Sequence, residues 1–282
     1  MAYKIAFISK NDRHKIADDF MSFAREHGVD FEVAKFCLND LSDASRFAPF
    51  DAVILSSSQG TDERVADTLS KELSLYAKCV FKCADLGNLT QPNIVLVTDI
   101  SGESNGGFAT GNEFGRYAHA SKKVSELEIE RTARIAYELA EMREQKLTLS
   151  DVPIESHIVA LWRKIVSDIN EDYPSVRLNF ESTFDTALKL ATNEEHGVVL
   201  TENGNFHALS GAADAHSALG VGTSTVAYLG ETTVGVYGTE RATVGADVFD
   251  ALALSKMLEL SFDLPKLSDE WKRKIPTLLL QK

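Results

Sequence analysis

Apolar residues in this chain recur with two periods, and the two alternate. Short alternating or continuous apolar runs predict strands at 4–9, 31–36, 51–56, 94–98, 146–149, 177–180, 197–201, 225–230 and 233–237. Between them, residues three and four apart predict helices. Ile16, Phe20 and Phe23 form one stripe, with Asn11 or Asp12 as a cap and Gly28 as a stop. Leu69, Leu73 and Tyr76 form a second, Glu126–Ala140 a third, and a fourth ends in Leu161-Trp-Arg163. Residues 249–260 form a late amphipathic helix. Strand alternating with helix predicts an α/β protein whose sheets are flanked by helices.

The most informative stretch is 181–220. Phe184, Leu188 and Ala191 keep helical spacing over 182–192, and Ala187 and Leu190 widen the stripe. Asn193–His196 breaks it. Gly197-Val-Val-Leu-Thr201 is short and β-branched, so it predicts a buried strand. Glu202–Asn205 predicts a turn with Asn205 capping a second helix over 205–219, which carries Phe206, Leu209, Ala212, Ala213 and Leu219. Both helices are apolar over a wide arc and predict packing against more helix than one chain supplies.

Composition narrows the class. The 282 residues are 44% hydrophobic and 25% charged, as in an ordinary globular protein. A formal net charge of −13 argues against nucleic acid or an anionic membrane as partner. No run approaches a membrane span. The chain opens directly on a strand pattern, and the three cysteines, Cys37, Cys79 and Cys83, lack a zinc spacing, so a cytoplasmic protein with core thiols is expected. Gly102–Gly115 is rich in glycine, but no Lys-Ser or Lys-Thr follows at phosphate-loop spacing, so it reads as a flexible loop and arm.

Several segments resemble the β-decarboxylating dehydrogenases, the family of isocitrate, isopropylmalate and tartrate dehydrogenases. They are Lys71-Glu-Leu-Ser-Leu-Tyr-Ala77, Glu126–Ala140, the approach to Leu161-Trp-Arg163, Asp172-Tyr-Pro174 and the strand ending in Thr201-Glu-Asn203. The resemblance implies an isopropylmalate dehydrogenase-like two-domain fold. It divides the chain into 1–97 plus 235–282 and 98–234, and pairs helices 182–192 and 205–219 with their copies in a homodimer.

The resemblance also implies where chemistry should lie. The family's substrate arginines fall at Ser70, Val80 and Thr98; Ser101 matches a substrate-contacting hydroxyl. The metal aspartates fall at Thr183, His207 and Gly211, the tyrosine acid at Val124 and the relay lysine at Val152. The cofactor-facing asparagine falls at Ile154, an adenine-loop aspartate at Ala242, and the glycine turn at Ser9–His14, which has no glycine. Only Asn203 remains as a candidate cofactor contact. Hydride transfer followed by decarboxylation needs a cation for the developing enolate and groups that move protons. Valine supplies neither. The expectation is therefore a pseudoenzyme, binding neither dinucleotide nor metal, that acts as a dimeric binding or structural protein. Two alternatives stand beside it. One is a changed reaction in the same cleft using His207, Tyr117, His119, Asp185 or Lys189. The other is a regulatory subunit held to an active protein partner.

Overall fold

The computed structural model describes residues 2–9, 15–37, 43–56, 63–82, 94–101, 104–112, 115–143, 145–152, 156–192, 194, 197–216, 224–231, 234–239 and 246–280. The elements are β1 (Tyr3–Ser9), α1 (Lys15–Glu26), β2 (Phe31–Cys37), β3 (Ala52–Ser56), α2 (Glu63–Glu72), β4 (Leu75–Lys82), β5 (Ile94–Asp99), β6 (Ser104–Asn112) and β7 (Gly115–Lys122). Then come α3 (Glu126–Glu141), β8 (Lys146–Asp151), α4 (His157–Asn170), β9 (Arg177–Ser182), α5 (Thr183–Ala191), β10 (Gly197–Thr201) and α6 (Asn203–Ala213). β11 (Thr225–Gly230), β12 (Gly235–Thr239), α7 (Ala246–Leu260) and α8 (Pro265–Leu280) complete the chain.

Ten strands form one sheet in the order β2-β1-β3-β12-β11-β4-β5-β10-β8-β9, and β6 and β7 form a separate hairpin. β2, β1, β3 and β12 are mutually parallel, as are β5, β10, β8 and β9. The two blocks run in opposite senses. β11 and β4, antiparallel to each other and to their outer neighbours, make the reversal. The carboxyl ends of the two blocks therefore lie at opposite edges. Polar residues close them: Ser9, Ser56 and Thr239 at one, Asp99, Thr201 and Asp151 at the other.

Alternation along the strands builds two apolar layers. Ile5, Phe7, Val95, Val97, Leu147 and Leu149 face α1, α3, α4, α7 and α8. Ala6, Ile8, Val53, Val80, Leu96 and Val199 face α2, α5 and α6. α3 begins with a capping box, in which Ser125 Oγ accepts from Glu128 N at 3.3 Å and Ser125 N donates to Glu128 Oε2 at 2.6 Å. α7 is buried nearly all round, as a helix enclosed between sheet and helices should be. α8 closes that layer: Trp271 packs edge-on to Phe20 at 5.3 Å and donates Nε1–H to Ala251 O at 2.9 Å.

Several expectations are corrected. Tyr76 is not helical: α2 stops at Glu72, Ser74 takes φ 56°, and the chain enters β4, which the apolar pattern had folded into the helix. The glycine-rich stretch pairs as β6 and β7 instead of remaining a loop, because backbone hydrogen bonding needs no side-chain signal. α6 starts at Asn203, not after a cap at Asn205, and gives way to a 3-10 turn at Asp214–His216. α4 is capped by Ser156, whose Oγ accepts from Val159 N at 3.2 Å. Asn11, Asp12, Cys83, Pro153 and Leu219 lie outside the described residues.

Since Trp271 ties α8 to α7 and α1, Trp271→Ala is expected to cost about 3–5 kcal/mol in urea denaturation. A loss under ~1 kcal/mol would show that α8 is not anchored there.

Candidate functional site

The positions of interest converge on the α5–α6 face, through the alternation of β4. Lys78, Val80 and Lys82 share that face. Val80 is fully buried in one apolar layer with Leu96, Phe206 and Leu209. Lys78 is buried with its ammonium 4.9 Å from the Phe206 ring centroid, a cation–π contact. In the adjoining strands a polar row runs across the sheet in register: Lys78 opposite Thr98, Thr98 opposite Thr201, Thr201 opposite Ser150 and Ser150 opposite Glu181. Thr201 Oγ1 donates to Ser150 O at 3.0 Å. The hydroxyls of Thr98 and Ser150 are buried and have no hydrogen-bond partner among the described residues, as is also true of Ser70 on α2.

At the far end of α6 a buried ion pair joins helix to sheet. Lys82 Nζ donates to Asp214 Oδ1 at 2.6 Å, with side chains 2% and 6% exposed. Asp214 sits at the carboxyl end of α6, where the helix dipole opposes a carboxylate, so the lysine offsets both the dipole and the desolvation. Sequence reasoning missed both lysines. The signal was present as cations four apart in an otherwise apolar strand, but it requires knowing that 75–82 is a strand.

Ser101 belongs elsewhere. Asp99 Oδ1 accepts from Ser101 N at 2.8 Å and Ser101 Oγ at 2.7 Å, and its Oδ2 accepts from Thr132 Oγ1 at 2.9 Å. Arg131 Nη2 donates to Ser101 Oγ and its guanidinium stands 4.3 Å over Tyr76. Burial, and next the charge of Glu231, push the Tyr76 phenol up. This cluster ties α3 to β5 and β4 on the other face of the sheet. Val124 also packs into that other layer, and Val152 is half-buried just past β8. The structure thus brings Val80 and Thr98 together and keeps Ser101 and Val124 apart from them.

The residues at the metal positions do not fit a divalent ion. Thr183 offers a hydroxyl that lacks a partner, His207 is exposed on α6, and Gly211 has no side chain. A hard cation takes several carboxylate or carbonyl oxygens, and the described residues contain no group of three or more acids, histidines or cysteines able to hold a metal. Asn203 is exposed at the first position of α6. At the opposite edge, where parallel strands present their carboxyl ends, Ser9 and Ser56 are in register and Ser56 Oγ donates to buried Asp250 Oδ2 at 2.5 Å. The Lys10–His14 turn, Ile154 and Ala242 lie outside the described residues.

The candidates for new chemistry are engaged or scattered. Asp185 is engaged at the start of α5, where the cap residue Ser182 donates Oγ–H to its Oδ2 at 2.6 Å and accepts from Asp185 N at 3.1 Å. Lys189 is paired with Glu181. Tyr117 and His119 stand in β7 opposite Thr110 and Phe108. No helix among the described residues is long and apolar enough to cross a membrane.

With this geometry in view, the chain can be set beside known proteins. A family model described as isocitrate/isopropylmalate dehydrogenase matches residues 62–267. A 3-isopropylmalate dehydrogenase of Ruegeria pomeroyi is 32% identical over 157 residues, covering 50% of this chain and 42% of that one. Another, from a Synechococcus species, is 29% identical over 210 residues, covering 68% and 55%. The matches span about half the length of these curated relatives. Among solved structures, an apo β-decarboxylating dehydrogenase from Thermococcus kodakarensis superposes with a TM-score of 0.67 at 22% identity, covering 97% of this chain and 88% of that one. A protein of Thermus thermophilus gives 0.63 at 17% identity, covering 94% and 60%. The shared fold is the isopropylmalate dehydrogenase-like α/β architecture.

Breaking the buried pair with Lys82→Met removes the ammonium beside buried Asp214 and is expected to cost about 3–5 kcal/mol in chemical denaturation. Adding Asp214→Leu should restore most of that loss. A double variant as unstable as the single one would show that charge pairing is not what holds α6 to β4.

Proposed function

The chain belongs to the isocitrate/isopropylmalate dehydrogenase family, and on that premise we propose that it is a catalytically inactive member, a dimeric protein kept for binding or structure. The observation that carries this reading is Val80. At a position where the resemblance implies a substrate arginine, this chain has a fully buried methyl-bearing side chain in one apolar layer with Phe206 and Leu209. A multiply charged acid entering there would lose its hydration with no guanidinium to compensate. Thr183, His207 and Gly211 supply no carboxylate for a metal, and Val124 and Val152 move no proton.

A second reading, an enzyme with a changed reaction in the same cleft, draws support from the row Lys78–Thr98–Thr201–Ser150. The hydroxyls of Thr98 and Ser150, without a hydrogen-bond partner among the described residues, are the groups that would bind a smaller, less charged molecule. Exposed His207 supports it less, since no second titratable group is shown converging on it.

The dimer rests on α5. Phe184 is 74% exposed and Leu188 55%, one turn apart on a helix that packs on α6. Two large apolar side chains left in water on one helix face mark an association surface.

Purified protein given isocitrate, 3-isopropylmalate or tartrate with magnesium and NAD or NADP is expected to form no reduced nucleotide above a protein-free control. Sustained turnover would overturn the assignment. Light scattering during gel filtration should report the mass of two chains. Phe184→Glu combined with Leu188→Glu should weaken association about 100-fold or more and yield monomer. A dimer that survives both changes places the interface elsewhere.

A further inference from the structure

On the face of the sheet opposite Val80, a cavity of about 380 Å³ opens between α3, the β11–β12 turn and the corner joining α7 to α8. That volume lies within the range of small-molecule sites. Ile135, Leu139, Leu229 and Leu260 form apolar walls. Glycines let the floor close. A Cβ on Gly235 would stand 2.6 Å from Tyr237 Oη, which is hydrogen-bonded to Ser261 Oγ at the cavity at 2.7 Å. A Cβ on Gly230 would stand 2.6 Å from Ser74 O.

Three carboxylates line the same space, and their charge balance differs. Glu259 is neutralised by Lys256 at 2.7 Å and by Lys272, and accepts from Ser268 Oγ at 2.9 Å. Glu138 and Asp263 have no ion-pair partner among the described residues. The cation one turn before Glu138, Arg134, is committed to Glu130 and Asp172, each at 3.0 Å. Glu138 and Asp263 are both exposed at the cavity; partial burial lifts the Glu138 carboxyl above its usual range, Arg134 pulls it back and Glu141 adds to the rise. An anion would meet Glu138 and Asp263 uncompensated. A purely apolar molecule seated over these exposed carboxylates would take them out of water at a cost. An ammonium group on an apolar stem satisfies both parts of the lining.

We propose that this cavity binds a small organic monocation with an apolar body, a primary alkyl- or arylammonium, with Glu138 and Asp263 as its charge partners. The site is separate from the α5–α6 face, so it stands whether or not that face has lost its chemistry.

Calorimetric titration of the full chain at neutral pH with n-hexylamine, 1-hexanol and hexanoate tests it. Hexylammonium is expected to bind about tenfold or more tighter than hexanol, the scale of a charge-assisted hydrogen bond, and hexanoate weaker than both. Glu138→Gln should lose most of the preference for the amine and keep hexanol binding. Leu260→Trp, which fills the space, should abolish both. Equal affinities for the three probes, or an unchanged amine affinity in Glu138→Gln, would overturn the proposal.

Discussion

Two blocks of parallel strands running in opposite senses cannot join directly into one parallel sheet. β11 and β4 solve this by pairing antiparallel with each other and with the block beside each. Much else in the molecule follows from that reversal. It places the carboxyl ends of the two blocks at opposite edges. It sets β4 between β11 and β5, the first strand of the second block. It also favours glycine at Gly230, which ends β11, and Gly235, which begins β12, where a Cβ would strike Ser74 O or the Tyr237 ring.

Because β4 is buried on both faces, its alternation decides what each face can do. Toward α6 it presents Lys78, Val80 and Lys82. Toward α3 and α7 it presents Ala77, Cys79 and Phe81. The first set has become a means of holding a helix down. Lys82 pairs with Asp214, Lys78 lies on Phe206, and Val80 fills the space between. On the outer side of the same helical layer, Phe184 and Leu188 of α5 remain exposed.

Much of this was readable in advance where local rules suffice. The helical stripe over Glu126–Ala140, the stop at Gly28 with φ 76° and the β-branched run at 197–201 each specify an element without reference to distant residues. The substitutions at Val80, Thr98, Val124 and Val152 were equally plain as residue types. Tyr76 shows where such reading fails. Its spacing from Leu69 and Leu73 is helical, and only the left-handed turn at Ser74 reveals that the helix has ended. Ser101 shows a second failure. It matches a substrate-contacting hydroxyl by position, yet it is bonded to Asp99 and Arg131 on the opposite face from Val80.

Periodicity and residue identity by themselves determined the α/β class, most of the helices and strands, and which positions carry ionisable side chains. These depend on backbone preference and on chemistry intrinsic to each residue. The tertiary structure alone decided that Lys82 meets Asp214 across 132 positions, that Thr98 and Ser150 end in one row with unpartnered hydroxyls, and that Glu138 and Asp263 share a cavity. Those outcomes depend on strand order, direction and register, which are set by the joint packing of the two apolar layers and leave no local mark on the chain.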